Sequence, residues 1–542
     1  MGEKKTNSSI VMQAGILAAA GILCRIIGLI YRSPLVKIIG DEGMGYYSSA
    51  YNIYAIILLV SSYSIPAAIS KVISQRLALK EYKNAHRIFQ CAVIYVVIVG
   101  GIASLFTFFG ARFLVDGDSV AVLKIFAPTI FFSGLLGVLR GYFQSHKTMV
   151  QTSISQIIEQ IANAAISIFA AHMLIQIVKD IMPSKKPIYG AMGSAMGTGT
   201  GVIIALIFMV SVYCLNRKMM LRRIEKDQST TVLSYREIFK IIICMVTPVI
   251  LSTFIYNFST SLNQTIYMKL MKSIHGYSGE QLHAAYGVFS GKAVVIVNIP
   301  IAIASAISAA MLPNVTGAYA KGDMKETNGI IDRSIRTTML IAIPSAVGLF
   351  ALARPVMQLL FPQPESIELA TALLQGLCIT VVFYSLSTLT NAILQATGKV
   401  NRPVINSALA LVIQTIVLVT LFLTTDLELR ALVIVTIIYS LLICVFNQIS
   451  IQRALEYRIA YKKSFVLPSI VSVFMGVIAY LVYHGVYMVL KSNLISLSIA
   501  IIIAVFFYFV GVLKIGIINE EELRNMPKGN QIVKVAKKLK LL

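Results

Sequence analysis

The sequence contains little charge for its length. Only 13% of its 542 residues are Asp, Glu, Lys or Arg, whereas 57% are hydrophobic and the mean hydropathy is +0.80. Soluble proteins of ordinary composition carry about 25% charged residues. This shortage of charge excludes a typical water-soluble protein and indicates that lipid is the main solvent. Apolar runs of the roughly 20 residues that a bilayer-spanning helix needs follow one another along the chain.

The sequence also lacks the motifs of catalytic and metal-binding proteins. Its six cysteines are scattered and form no CxxC pair, so we expect neither a zinc site nor a disulfide framework. There is no Walker motif and no clustered nucleophile–base set. We therefore expect no enzyme, no catalytic residue, no metal and no cofactor. Because the first apolar run is long enough to form a complete span, we expect no cleavable signal peptide.

The net charge of +24 does not indicate a nucleic-acid partner. The cations lie in short loops between apolar segments, where they would set the membrane topology. The densest clusters fall on one side if the N- and C-termini are both cytoplasmic. They are Lys71–Arg87, Arg217–Lys240, Arg453–Lys463 and Lys514–Lys540. The expected location is the bacterial cytoplasmic membrane, with multiple passes.

The hydropathy pattern predicts an all-α integral membrane protein with fourteen transmembrane helices. The predicted spans are 10–32, 46–70, 88–111, 121–144, 151–178, 188–215, 237–268, 284–312, 330–353, 366–396, 403–424, 429–452, 465–490 and 493–514.

A weak internal repeat predicts two pseudo-symmetric six-helix lobes in parallel orientation. Ser64–Ser70 resembles Ser305–Met311, and Gly141–Lys147 resembles Ala392–Lys399. The predicted domains are a first lobe (1–220), a cytoplasmic linker (221–236), a second lobe (237–456), two additional helices (457–516) and an amphipathic cytoplasmic tail (517–542).

The clear cases of a cation inside a predicted span are Arg25, Arg32 and Lys292, and a charge there is costly unless it faces a cavity or a partner. Arg25 and Arg32 are seven residues apart, which places them on one face of a helix about 10.5 Å apart along its axis. Lys292 opens the eighth span from the outer side. For Arg32 and Lys292, snorkelling to the outer interface is an alternative to lining a cavity.

The fifth span carries a polar stripe. Gln156, Glu159, Gln160 and Asn163 recur at helical spacing, which is typical of the wall of an aqueous vestibule. Glu159 is the candidate for ion coupling, and the alternative is a structural salt bridge to a neighbouring helix. Guanidinium groups bind phosphate through a fixed donor fork. The predicted cargo of a cavity lined by Arg25, Arg32 and Lys292 is therefore the diphosphate of a lipid-linked sugar.

Several stretches resemble the MOP exporter superfamily, in particular its branch of stage V sporulation protein B and MurJ-like lipid II flippases. They are Cys24–Gly28 with Arg32, Ile65–Lys71, Leu139–Gln144, Ser155–Gln160, Met311–Pro313 and Glu521–Pro527. The resemblance implies a V-shaped MATE-like fold working by alternating access. It also implies that Arg25, Arg32 and Lys292 line the central cavity, and that the thirteenth and fourteenth helices form an apolar groove for a polyprenyl tail.

The predicted function is a flippase for a lipid-linked oligosaccharide, with lipid II for peptidoglycan synthesis as the favoured cargo. A membrane potential or a cation gradient would drive it. The alternatives are an exporter of teichoic, capsular or spore-wall precursors, a cation-coupled drug exporter, and a scaffold that transports nothing. The expected partners are the lipid-linked substrate, the bilayer and the cell-wall synthesis machinery, and the expected oligomeric state is a monomer.

Overall fold

The computed structural model describes residues 2–59, 61, 65–146, 148–225, 227, 233–517 and 533. These residues form helices and contain no strand. The α-helices are α1 (Gly2–Leu58), α2 (Ile65–Ala78), α3 (Tyr82–Leu114), α4 (Ser119–Ser145), α5 (Val150–Val178), α6 (Lys186–Glu225), α7 (Tyr235–His275), α8 (Gly279–Gly287), α9 (Val294–Ala320), α10 (Met324–Ala351), α11 (Ala353–Leu360), α12 (Ile367–Ala396), α13 (Asn401–Thr424), α14 (Leu429–Leu455), α15 (Leu467–Leu490) and α16 (Asn493–Lys514).

Eleven spans within the described residues are long and apolar enough to cross a membrane. They comprise α3 to α6, α9 with α8, α10, and α12 to α16. The chain is thus an all-helical, multi-pass membrane protein. The three other predicted spans fall in α1 with α2 and in α7, which are helical but are not among the eleven. The count of fourteen stays a prediction.

A single glycine divides the first two predicted spans. Gly40 has φ 73° and ψ 176° within α1, which is two helices joined across a kink. A positive φ is disfavoured for residues with a Cβ, so glycine is the residue suited to this position. The helix before Gly40 contains the predicted span 10–32, and the predicted span 46–70 begins in the helix after Gly40 and ends in α2.

The sequence repeat recurs in the positions of helix ends. The corner between α2 and α3 and the corner between α9 and α10 each have three residues, and Lys80 (φ 61°) and Gly322 (φ 75°) occupy the same left-handed position in them. The corners between α4 and α5 and between α12 and α13 each have four residues. The arrangement of two pseudo-symmetric lobes stays a prediction.

The chain packs as two compact units. The first comprises Met1–Gly291 together with Phe422–Glu428, and the second comprises Lys292–Leu421 and Leu429–Leu542. The predicted domain boundaries are based on the repeat instead of on packing, and they stay a prediction.

The predicted linker at 221–236 contains the end of one described helix and the start of the next. Helix α6 continues to Glu225, and α7 begins at Tyr235 behind a capping box formed by Ser234 and Glu237. The predicted tail at 517–542 lies outside the described residues except for Ile517 and Val533. Both of these are buried against Val471, Val512 and Leu513.

Helix α11 was not predicted. Its eight residues begin at the last residue of the predicted span 330–353 and end before the predicted span 366–396, and Ala353, Pro355 and Met357 are buried. An Arg354–Glu368 ion pair of 2.7 Å forms on the exposed surface. A helix this short produces too weak a periodic signal to be distinguished from a loop.

Candidate functional site

The two arginines of α1 lie in the first unit. Arg25 is exposed at the surface of the helices and Arg32 is partly buried. Neither forms an ion pair with any described residue. The charge of Arg32 lies close enough to act on the buried Tyr47, whose hydroxyl is 3.3 Å from Thr198 Oγ1. These guanidinium groups therefore keep their donors for other partners.

The polar stripe of α5 lies against three neighbouring helices of the same unit. Gln160 faces Gly28 of α1, where an added Cβ would lie 3.2 Å from the amide nitrogen of Gln160. Asn163 Oδ1 accepts hydrogen bonds from Ser167 Oγ at 2.9 Å and from Thr198 Oγ1 at 3.3 Å. The amide oxygen of Gln156 is buried and accepts no hydrogen bond from the described residues.

Close packing of α6 fixes the position of this stripe. A Cβ on Gly201 would lie 2.7 Å from the carbonyl oxygen of Glu159, and one on Gly197 would clash with Ser167. These two glycines are four residues apart on one face of α6, as in close helix contacts of membrane proteins. The absence of side chains there allows the α5 and α6 backbones to approach each other.

Glu159 forms an ion pair with Arg140 of α4. Arg140 Nη2 donates to Glu159 Oε2 at 2.7 Å, and Arg140 Nε donates to Ser155 Oγ at 2.8 Å. Cys24 of α1 lies within electrostatic range of both charges. The salt bridge considered for Glu159 is therefore present. Sequence reasoning missed Arg140 as a site residue because a cation five residues from a helix end normally snorkels.

Lys292 belongs to the second unit, where it is 1% exposed. It lies in a π-helical segment, Val288–Ala293, and its ammonium donates to Ser366 Oγ at 2.7 Å. A π segment adds one residue to a helical turn and is frequent at functional sites. The side chain is buried, so it does not snorkel to an interface.

A further polar contact in the first unit joins α1, α7 and α8. Asn52 Nδ2 donates to Gln264 Oε1 at 2.6 Å and to the Tyr286 hydroxyl oxygen at 2.9 Å. Gln264 and Tyr286 are buried. Sequence reasoning missed this contact because single amides in apolar runs give no periodic signal.

The first unit also contains a cavity with charged walls, of about 600 Å³. It lies between the α3–α4 turn, the end of α7 and the start of α8. Its charged lining residues are Asp116, Asp118, Lys269, Lys272 and Glu280. Burial raises the pKa of the nearby Glu42 carboxyl above its usual value.

The second unit contains an apolar cavity of about 630 Å³. Helices α10, α12 and α15 form its walls, which include Val347, Phe350, Ile379, Val473, Val477 and Leu481. Helix α16 contributes no lining residue and packs on α15 through Leu497, Ala500 and Ala504. The groove that the resemblance implies between α15 and α16 stays a prediction.

The family model for polysaccharide biosynthesis proteins matches residues 10–317, more than half of the chain. The chain belongs to this family. A second family model, MatE, matches residues 257–420. The predicted resemblance to the MOP superfamily is confirmed.

Two relatives match this member of the family over most of its length. The lipid II flippase MurJ of Bacillus subtilis (strain 168) is 21% identical over 518 residues, covering 92% of this chain and 93% of that protein. Stage V sporulation protein B of the same organism is 22% identical over 525 residues, covering 94% and 96%. These relatives agree with the prediction that the chain is a transporter and not an enzyme.

Solved structures share the fold of this family member. The lipid II flippase MurJ in an inward closed conformation has a TM-score of 0.64 at 15% identity, covering 91% of this chain and 97% of that chain. An inward-facing multidrug resistance MATE family transporter of the MOP superfamily has a TM-score of 0.58 at 16% identity, covering 81% and 95%. The fold is therefore of the MurJ and MATE type.

Proposed function

We propose that this protein flips a lipid-linked sugar precursor across the cytoplasmic membrane by alternating access, with lipid II as the first candidate cargo. The observation that carries the proposal is the pair of guanidinium groups on one face of α1. Arg25 and Arg32 lie in an apolar helix and form no ion pair with a described residue. Such charges are costly in a membrane and suit a phosphate ligand.

Two further features support a lipid-linked cargo. The buried Lys292 adds a cation in the second unit, and the apolar cavity between α10, α12 and α15 has the chemistry to hold part of a polyprenyl chain. A relative named as a lipid II flippase matches over 92% of this chain. The termini would be cytoplasmic, the protein would act as a monomer beside the cell-wall synthesis machinery, and a membrane potential or cation gradient would drive transport.

The test is the exposure of lipid II on the outer surface of cells depleted of this protein. Lipid II exposure should fall on depletion and return with the wild-type gene. Arg25→Ala should fail to restore exposure although the protein is inserted normally, because the variant removes a phosphate ligand. Unchanged exposure on depletion would remove lipid II as the cargo, and restoration by Arg25→Ala would favour a scaffold.

A second candidate is the export of another undecaprenyl-linked glycan, such as a spore-wall precursor. Stage V sporulation protein B matches over 94% of the chain at 22% identity, which is as similar as the lipid II flippase. Complementation of strains that each lack one flippase would separate the two cargoes. Drug resistance that is lost in Glu159→Gln while wall synthesis persists would instead favour a cation-coupled drug exporter.

A further inference from the structure

The Arg140–Glu159 pair leaves much of its hydrogen-bonding capacity unused. A guanidinium group has five N–H donors, and Arg140 uses one for Glu159 and one for Ser155. The other three have no partner among the described residues. The two side chains are 15% and 29% exposed, so both are partly accessible. An anion can therefore reach Arg140 without unpacking the helices.

The corner between α12 and α13 of the second unit corresponds to the corner between α4 and α5, and neutral amide side chains form its hydrogen bonds. Arg140 lies five residues before the end of α4, and Asn391 lies five residues before the end of α12. Ser155 and Asn406 are likewise each five residues after the start of their helices. Asn447 Nδ2 donates to Asn391 Oδ1 at 2.8 Å, and Asn406 Nδ2 donates to Asn447 Oδ1 at 2.9 Å.

Neutral amides thus suffice to hold a corner of this kind together. Replacing a buried ion pair by well-packed hydrophobic residues of similar volume is often neutral or stabilising, so a charged pair is not required for packing. The charges at the first corner are therefore not explained by the packing of the corner. They suit a ligand that is itself charged.

We propose that Arg140 binds the diphosphate of the polyprenyl-linked cargo, an inference that rests on the proposed function. When cargo is absent, the Glu159 carboxylate pairs with the Arg140 guanidinium group in its place. Glu159 contacts Arg140 through one oxygen only, whereas a phosphate engages a guanidinium group through two parallel N–H donors. The cargo displaces the carboxylate because it makes the better-matched contact.

The predicted topology places the Arg140–Glu159 pair near the cytoplasmic side of the membrane. In the predicted topology, α4 ends on the cytoplasmic side, so Arg140 lies about 8 Å from that end. Helix α1 runs outward, with Cys24 near the pair and Arg32 farther along. In this topology Arg140 therefore lies at about the depth of Arg25, on the cytoplasmic side of Arg32.

The experiment measures binding of undecaprenyl diphosphate to the full-length protein in phosphatidylcholine nanodiscs, by microscale thermophoresis. Arg140→Gln should weaken binding at least about tenfold, because charge-assisted hydrogen bonds are lost. Arg140→Lys should bind with intermediate affinity. Glu159→Gln should tighten binding about three- to tenfold because the competing carboxylate is gone. The double variant Arg140→Gln/Glu159→Gln should bind like Arg140→Gln.

The matched control is Arg354→Gln, which removes another Arg–Glu contact of 2.7 Å, on the exposed surface of the second unit. Its affinity should remain within about twofold of the wild type. A purely structural salt bridge predicts that Glu159→Gln weakens binding as Arg140→Gln does, and that result would overturn the proposal. So would an Arg140→Gln affinity equal to that of the wild type, or a wild-type protein that does not bind undecaprenyl diphosphate.

Two further ligands identify the source of the phosphate. Phosphatidylglycerol and inorganic pyrophosphate should each compete at least about tenfold more weakly than undecaprenyl diphosphate. Equal competition by phosphatidylglycerol would assign Arg140 to ordinary lipid headgroups and overturn the proposal. A separate measurement tests the proposed function. If reconstituted protein binds the diphosphate but does not translocate lipid-linked sugars, the proposed function fails while the binding role of Arg140 stands.

Discussion

The hydroxyl of Tyr277 donates a hydrogen bond of 2.5 Å to Oε1 of Glu428. Tyr277 lies in the turn between α7 and α8, and Glu428 lies at the end of the connection between α13 and α14. The ring of Tyr267 in α7 packs against the ring of Phe422 in α13, and their centroids are 6.1 Å apart. These contacts hold the segment Phe422–Glu428 against the first unit.

The Tyr277–Glu428 bond should make stability depend on alkaline pH. The bond and the Glu428 charge raise the pKa of the Tyr277 hydroxyl above its usual value of 10.0. A raised folded-state pKa gives stabilisation that is complete below pH 10 and is lost as the pH rises further. The melting temperature of the wild type should exceed that of Tyr277→Phe at pH 8, and the difference should shrink above pH 10. A constant difference across this range would contradict the assignment.

Ser366→Ala should destabilise the second unit. The variant removes the hydroxyl that accepts from the buried ammonium of Lys292, and such a loss costs about 1–3 kcal/mol. The measurement is the free energy of unfolding in mixed detergent micelles. Ser498→Ala is the control, because Ser498 is exposed and bonds only within its own helix. The double variant Ser366→Ala/Lys292→Met should be less destabilised than Ser366→Ala, since the buried charge is removed together with the hydroxyl.

Gly197→Ala should disturb the packing of α6 on α5. The added methyl group would clash with Ser167, and overpacking of this kind costs about 1–3 kcal/mol. Gly101→Ala in α3 is the matched control, since a Cβ there meets nothing within 4 Å. Alanine is favoured over glycine in a helix, so the control should gain up to about 1 kcal/mol. Equal effects of the two variants on unfolding would show that packing at Gly197 does not matter.

Lys80→Gly should stabilise the protein. Lys80 has φ 61° in the α2–α3 corner, whereas the equivalent corner between α9 and α10 has a glycine at this position. The left-handed conformation costs roughly 1–2 kcal/mol for a residue with a Cβ, which exceeds the entropic cost of glycine. We expect a rise in melting temperature for Lys80→Gly and a fall for Gly322→Lys. A fall in the melting temperature of both variants would show that the Lys80 side chain makes a stabilising contact.

Much of the fold was predictable because lipid imposes one simple rule. A bilayer span must be long, apolar and helical, and eleven of the predicted spans correspond to described helices that are long and apolar enough to cross a membrane. The corners of the repeat were also visible in the sequence. Helix α11 and the π segment at Lys292 were not, because short elements and one-residue insertions leave the hydropathy pattern unchanged.

The candidate site was only partly predictable. Charges inside apolar runs drew attention to Arg25, Arg32, Glu159 and Lys292. The partner of each depends on which helices pack together, and one sequence contains little information about that. Arg140 was missed because a cation near a helix end normally snorkels, and its contact with Glu159 depends on how the corner between α4 and α5 folds.

The segment Phe422–Glu428 has a consequence for how the protein is made. It belongs to the first unit but is separated from Gly291 by the 130 residues of Lys292–Leu421. The ribosome must therefore synthesise most of the second unit before the last piece of the first becomes available. A nascent chain that has emerged only to Gly291 lacks the ring of Phe422 against Tyr267 and the carboxylate that receives the Tyr277 hydroxyl.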